Sequence, residues 1–131
     1  MSARAAVGLG CRSNVGAEAI ARAVRQAIWR APSVPAAIAL HTSARKSADE
    51  SLRRAAQSLG LELVFHEEAA LKARDAQVVS RSDRVAAIVG VGSLAEAAAL
   101  VGAGEGARLV VPKFSADGVS CAVAVAKEES A

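Results

Sequence analysis

A chain of 131 residues with 53% hydrophobic content is long enough to bury a core and most simply forms one domain. Its 16 Lys and Arg against 13 Asp and Glu leave a charge of only +3 with no block of like charge, and Trp29, Phe65 and Phe114 are too few rings for a stacking platform, so no nucleic-acid partner is expected. No stretch approaches the ~20 apolar residues of a membrane span, the apolar run at 5–9 is too short for a signal-peptide core, and Cys11 and Cys121 lack metal-ligand spacing; a reduced, cytoplasmic protein with no metal and no cofactor is the plain expectation.

Residues 4–9 read as a buried strand ending among the glycines Gly8 and Gly10. A Cys11-Arg12 turn then leads, with Ser13 and Asn14 as cap candidates, into a helix over 14–30. Ile20, Ala23, Val24, Ala27 and Ile28 form its apolar stripe, and Glu18 pairs with Arg22 on the opposite face. Such a strand–turn–helix aims N–H groups beyond the strand's carboxyl end, which makes it a candidate anion site. Pro32 and Pro35 mark the exit, residues 36–40 form a second strand, and 41–46 a polar turn. Ser47 to Glu50 matches a capping box before a helix with the stripe Leu52, Ala55, Ala56 and Leu59, and Gly60 is its stop signal. A third strand over 61–65, a short helix over 67–74 and a helix over 81–89 follow. Gly90 and Gly92 form a second glycine turn, and Ser93 to Glu96 a second capping box ahead of a helix through Val101. Two closing strands, 109–111 and 119–125, are joined by residues 112–118 and are close enough to form an antiparallel hairpin. The alternation predicts a single α/β domain of three layers, a mainly parallel sheet of about five strands with helices on both faces. Its core spans about 4–126, and 127–131 forms a frayed tail.

Ligands of open α/β sheets bind beyond the carboxyl ends of the strands. Four loops share that edge in this reading: 10–14, 41–47, 90–93 and 112–115. They carry Arg12, Arg45, Lys46 and Lys113 beside Asn14, Ser93 and the glycine turns of Gly8, Gly10, Gly90 and Gly92. Cations converging on helix N-termini suit a ligand with several carboxylates. The Gly8-x-Gly10 pattern lacks the third glycine and the acidic residue of a dinucleotide fingerprint, so a nucleotide-binding regulatory module is the lesser alternative. Acid–base or nucleophilic candidates are Cys11, whose thiol a helix N-terminus and Arg12 would acidify, His41 at a strand end, and Glu50 and Glu96, which also fit capping roles.

Gly8-Leu-Gly-Cys-Arg12, Lys46-Ser-Ala-Asp-Glu50, Leu59-Gly-Leu-Glu-Leu-Val-Phe65, Val89-Gly-Val-Gly92, and Leu109-Val-Val-Pro-Lys113 with Gly118-Val119 occur in the order seen in the CobE/CbiG family of cobalamin biosynthesis, which the chain resembles from about 5 to 126. The likeness is to CobE-type proteins and to the C-terminal domain of CbiG. The resemblance implies a single α/β domain that handles a tetrapyrrole, a precorrin or corrin-ring intermediate bearing many acetate and propionate groups. CbiG-type proteins open the δ-lactone of a cobalt-precorrin and release acetaldehyde. A carrier or accessory role, a lactone hydrolase, and contact with other cobalamin-biosynthesis enzymes are the functions so implied. The chain departs from the family pattern at Ser13-Asn14-Val15 and at Leu94-Ala95-Glu96-Ala97. Its alanine-rich helix faces leave room for a homo-oligomer.

Overall fold

The computed structural model describes residues 3–12, 14–32, 37–82 and 91–127. Strand β1 (Ala3–Cys11) leads to α1 (Ala17–Arg30), and β2 (Ala37–Ser43) passes through a 3-10 turn (Ala44–Lys46) to α2 (Glu50–Leu59). Strand β3 (Glu62–His66) is followed by α3 (Glu68–Lys72) and a 3-10 turn (Asp75–Gln77). Helix α4 (Leu94–Ala103) precedes the hairpin of β4 (Arg108–Ala116) and β5 (Val119–Lys127).

The strand order is β3-β2-β1-β5-β4. Pairs β1–β2 and β2–β3 are parallel, while β1–β5 and β5–β4 are antiparallel, so the sheet is mixed rather than mainly parallel. The final hairpin explains the difference: its Asp117-Gly118 turn, with φ 54° and 81°, matches the twist of tight hairpins and returns β5 against β1. The expected loop at 112–115 is instead part of β4, an edge strand whose register shifts around Pro112. A missing N–H is harmless at such an irregular edge position. The predicted helix over 81–89 and Gly90 lie largely outside the described residues; Arg81 and Ser82 are not helical. The tail expected at 127–131 likewise falls outside them, except Lys127, which ends β5.

Alternation along β1 separates two cores. Val7 and Leu9, with Val119, Cys121 and Val123, face the stripe of α1 (Ile20, Ala23, Val24, Ala27) and Leu52, Ala55 and Ala56 of α2. Ala6, Ala122, Ala124 and Ala126 face α4 on the other side. Helix α4 is apolar nearly all round and buried, as such a composition requires. Its alanines remove little apolar area individually, so this half of the core depends on close approach. A Cβ on Gly8 would lie 1.8 Å from the carbonyl oxygen of Ala95, and one on Gly102 would lie 2.5 Å from the His41 ring. Gly60, in the left-handed region at φ 68°, ends α2 as expected.

Candidate functional site

Strands β1 and β2 run the same way and each feeds a helix, so the N-terminal ends of α1 and α2 gather at the carboxyl edge of the sheet. The first residue of α4, Leu94, sits above Gly10 at the same edge. These three helix ends differ in what satisfies them. The Asp49 carboxylate accepts from the N–H groups of Ser51 (2.9 Å) and Leu52 (3.4 Å) and so caps α2. The Ser93 hydroxyl accepts from the N–H of Glu96 (3.2 Å) and caps α4. Helix α1 starts after Gly16 with no side-chain cap. Asn14 does not cap it; it adopts φ 72° and turns the chain instead. Ser13 lies outside the described residues. Among the described residues, no side chain caps the N-terminus of α1.

A pocket of about 370 Å³ opens here, lined by Asn14, Val15, Arg45, Lys46, Asp49, Glu50 and Ser51. Arg45 is committed to Glu68, with its Nε donating at 2.6 Å. Lys46 forms no ion pair among the described residues. Arg12 is exposed; its N–H donates to the Gly118 carbonyl (3.1 Å), and its side chain and Val15 flank Gly118. The edge thus brings together Arg12, Asn14, Lys46 and Glu50 from the expected set. Asp49 is the residue the capping-box template overlooked: an aspartate directly before the apolar stripe caps α2, while Glu50 is its first residue.

The remaining expected residues fall elsewhere. Gly8 is covered by α4. Gly92 lies under Arg81, whose side chain a Cβ there would meet at 2.8 Å, and its N–H donates to Asp75 at 2.8 Å. That bond and Arg81 hold the Asp75 carboxyl below its usual range. Ser93 is buried at its cap, and Lys113 sits in β4. Arg22 pairs with Asp117 (3.7 Å) of the hairpin turn rather than with Glu18.

The acid–base candidates also change. Burial pushes the Cys11 thiol up, and the Lys46 ammonium only partly offsets this while Asp49 adds to it; the expected acidification does not occur. Glu96 is fully buried and accepts from the N–H groups of Val79 (2.8 Å), Ser80 (2.9 Å) and Lys113 (2.9 Å) and from the Ser80 hydroxyl (2.8 Å). It does not reach back to Ser93 to close a capping box. It ties β4 and the segment at 79–80 to α4.

His41 lies beneath Gly102, with its Nδ1 2.8 Å from Nε2 of His66. Ring centroids 5.0 Å apart and planes within 17° place the two rings nearly edge to edge, with one proton between the facing nitrogens. His66 was not singled out in the sequence, although residues 41, 64 and 66 share a sheet face by alternation. Burial, reinforced by His66, lowers the His41 pKa to about 4. An unfolded histidine titrates near 6.5, so the unfolded chain binds more protons between these values. The stabilisation is complete above pH ~6.5 and falls as the pH drops toward 4, by ~2–3 kcal/mol at pH ~4.5. Urea unfolding at pH 7 and 4.5 checks this: His41→Gln is expected to flatten that pH dependence, and an unchanged slope would contradict it.

Residues 5–124 match the family described as Cobalamin synthesis G C-terminus. Over 119 residues the chain is 33% identical to Protein CobE of Sinorhizobium sp, an alignment that covers 90% of this chain and 77% of that protein. Its fold is similar to the crystal structure of CobE, a protein from the cobalamin (vitamin B12) biosynthetic pathway, with a TM-score of 0.88 and 29% identity over 99% of this chain and 95% of the other. The cobalamin biosynthesis protein chiG from Agrobacterium tumefaciens str. C58 is similar with a TM-score of 0.72 and 32% identity, over 95% of this chain and 99% of the other.

Proposed function

We propose, from the premise that this chain belongs to the CobE/CbiG C-terminal family of cobalamin biosynthesis, that it binds a precorrin or corrin-ring intermediate by the ligand's peripheral carboxylates and serves as a carrier or accessory factor. One observation carries the reading: the turn that leads into the uncapped α1 (Asn14, Val15) and Lys46, which forms no ion pair among the described residues, line one pocket, with Arg12 beside its Val15 wall. Backbone N–H groups at a helix start and a nearby cation are complementary to a carboxylate. The pocket is roomy enough to admit acetate or propionate arms, with the macrocycle resting outside. The glycines Gly8 and Gly92 contribute close packing rather than ligand contact in this account.

Lactone opening has less support from the side chains. Burial keeps the Cys11 thiol protonated, His41 is enclosed with His66, and the Glu96 carboxylate is saturated by four donors. Only Glu50, of the four acid–base candidates, lines the pocket.

Alanine variants separate the ligand groups. Arg12→Ala and Lys46→Ala are each expected to weaken corrinoid affinity about ten-fold or more, since a charge-assisted hydrogen bond contributes roughly 1.5–3 kcal/mol. Lys113→Ala, on β4, is expected to change affinity less than about two-fold by the same measure. Fluorescence titration reads all three, and the reverse ranking would move the site to the α4 side of the sheet.

A further inference from the structure

We propose that the outer face of α1 docks an acidic protein surface, with Trp29 inserted as the anchor into an apolar recess of that partner. Glu18, Arg22, Arg25, Gln26 and Trp29 recur at spacings of three and four, opposite the buried Ile20, Val24 and Ala27, and so form one outward stripe. Trp29 is 85% exposed and is the chain's only tryptophan. An indole left in water on a regular 14-residue helix is a rigid, large apolar feature that no described residue covers.

The outer face of α1 and the helix beside it are basic. Arg25 and Arg54 are exposed and form no ion pair among the described residues, and α2, which carries Arg54, packs beside α1. Arg30 is held with its guanidinium 3.9 Å above the Phe114 ring. Arg22 is only partly neutralised by Asp117 at 3.7 Å. An exposed aromatic on a helix face that also carries arginines has the composition of interface hot spots, and that face is complementary in charge to carboxylates.

The same features argue against other occupants. A second copy in a two-fold contact would bring like charge against like charge. A membrane surface needs an apolar stripe, but Gln26 and Arg25 occupy the stripe beside Trp29. A nucleic-acid strand needs more than one stacking ring. Trp29 lies twelve residues beyond Ala17, about 18 Å along the helix at ~1.5 Å per residue. A partner seated there leaves the α1 N-terminus open, and the inference does not depend on which ligand that end binds.

Emission from Trp29 is the direct reporter. The probe is a fluorescein-labelled amphipathic helical peptide of Glu and Leu. The controls are a Lys/Leu peptide of equal length, phosphatidylglycerol vesicles, a 20-nucleotide single-stranded DNA and dilution of the protein alone. Saturable binding of the Glu/Leu peptide with a blue shift of the Trp29 emission is expected. The double variant Arg25→Glu/Arg54→Glu should weaken it at least ten-fold by anisotropy, as should Trp29→Ala. All these side chains are exposed, so circular dichroism and the thermal midpoint should stay unchanged. No binding of the Glu/Leu peptide, binding indifferent to the charge reversal, or a blue shift produced instead by vesicles, DNA or raised protein concentration would overturn the proposal.

Discussion

Glu96→Gln is expected to lower the unfolding free energy by about 2–4 kcal/mol, the cost of disturbing a buried, charge-assisted set of hydrogen bonds. The carboxylate is fully buried and accepts from four donors, three of them backbone N–H groups. Burial alone would raise its pKa, but the bonds from Lys113, Ser80 and Val79 outweigh it and hold the group ionised below its usual range. A glutamine keeps one accepting oxygen; its NH2 group must face a donor on Ser80 or Lys113, and that group loses its partner. The register shift near Pro112 makes the Lys113 N–H especially dependent on Glu96, because the regular ladder with β5 is interrupted there. Urea denaturation measures the change. A midpoint equal to that of the parent would contradict the structural role and return Glu96 to consideration as an acid–base group.

Gly8→Ala is expected to be the most damaging added methyl among the described glycines, costing about 3 kcal/mol or more through overpacking. Its Cβ would lie 1.8 Å from the Ala95 oxygen and 2.6 Å from the Ala99 nitrogen, both backbone atoms of α4 that no rotamer change can move. Helix α4 would have to lift off the sheet and carry Glu96 and its bonds with it. Gly10→Ala is the control, because its nearest neighbours are Leu94 side-chain atoms at 3.7 Å and beyond. Thermal unfolding of the two variants should show a large loss for the first and a small change for the second. Equal midpoints would contradict the close approach of α4.

Periodicity made the helices and strands legible because apolar stripes and alternation are local. Ile20, Val24 and Ala27, and Leu52, Ala55 and Ala56, are buried as their spacing predicts. The turn chemistry of Gly60 and the Ser93 cap were likewise visible. Strand direction was not: whether β5 returns antiparallel against β1 depends on the Asp117-Gly118 turn and on pairing more than a hundred residues apart. Glycine meaning was also not local. Gly8 and Gly92 mark close approaches, but the atoms that approach are those of α4 and Arg81, which the sequence places 87 or more and 11 residues away as separate elements. At the site, the open N-terminus after β1 was readable from the strand–turn–helix pattern. Its contrast with α2 was not, because Ser47 and Asp49 compete for one cap and only the folded geometry decides for Asp49. The pairing of His41 with His66 required the β2–β3 register.

The most direct test of the ligand assignment is a visible-absorbance titration of the purified protein with a cobalt-free corrinoid intermediate, followed by mass spectrometry of the ligand. Saturable binding that weakens with added salt and leaves the ligand mass unchanged is the result expected of a carrier that holds carboxylates at Arg12 and Lys46. Absence of binding at micromolar protein, or a change in ligand mass that marks turnover, would contradict it.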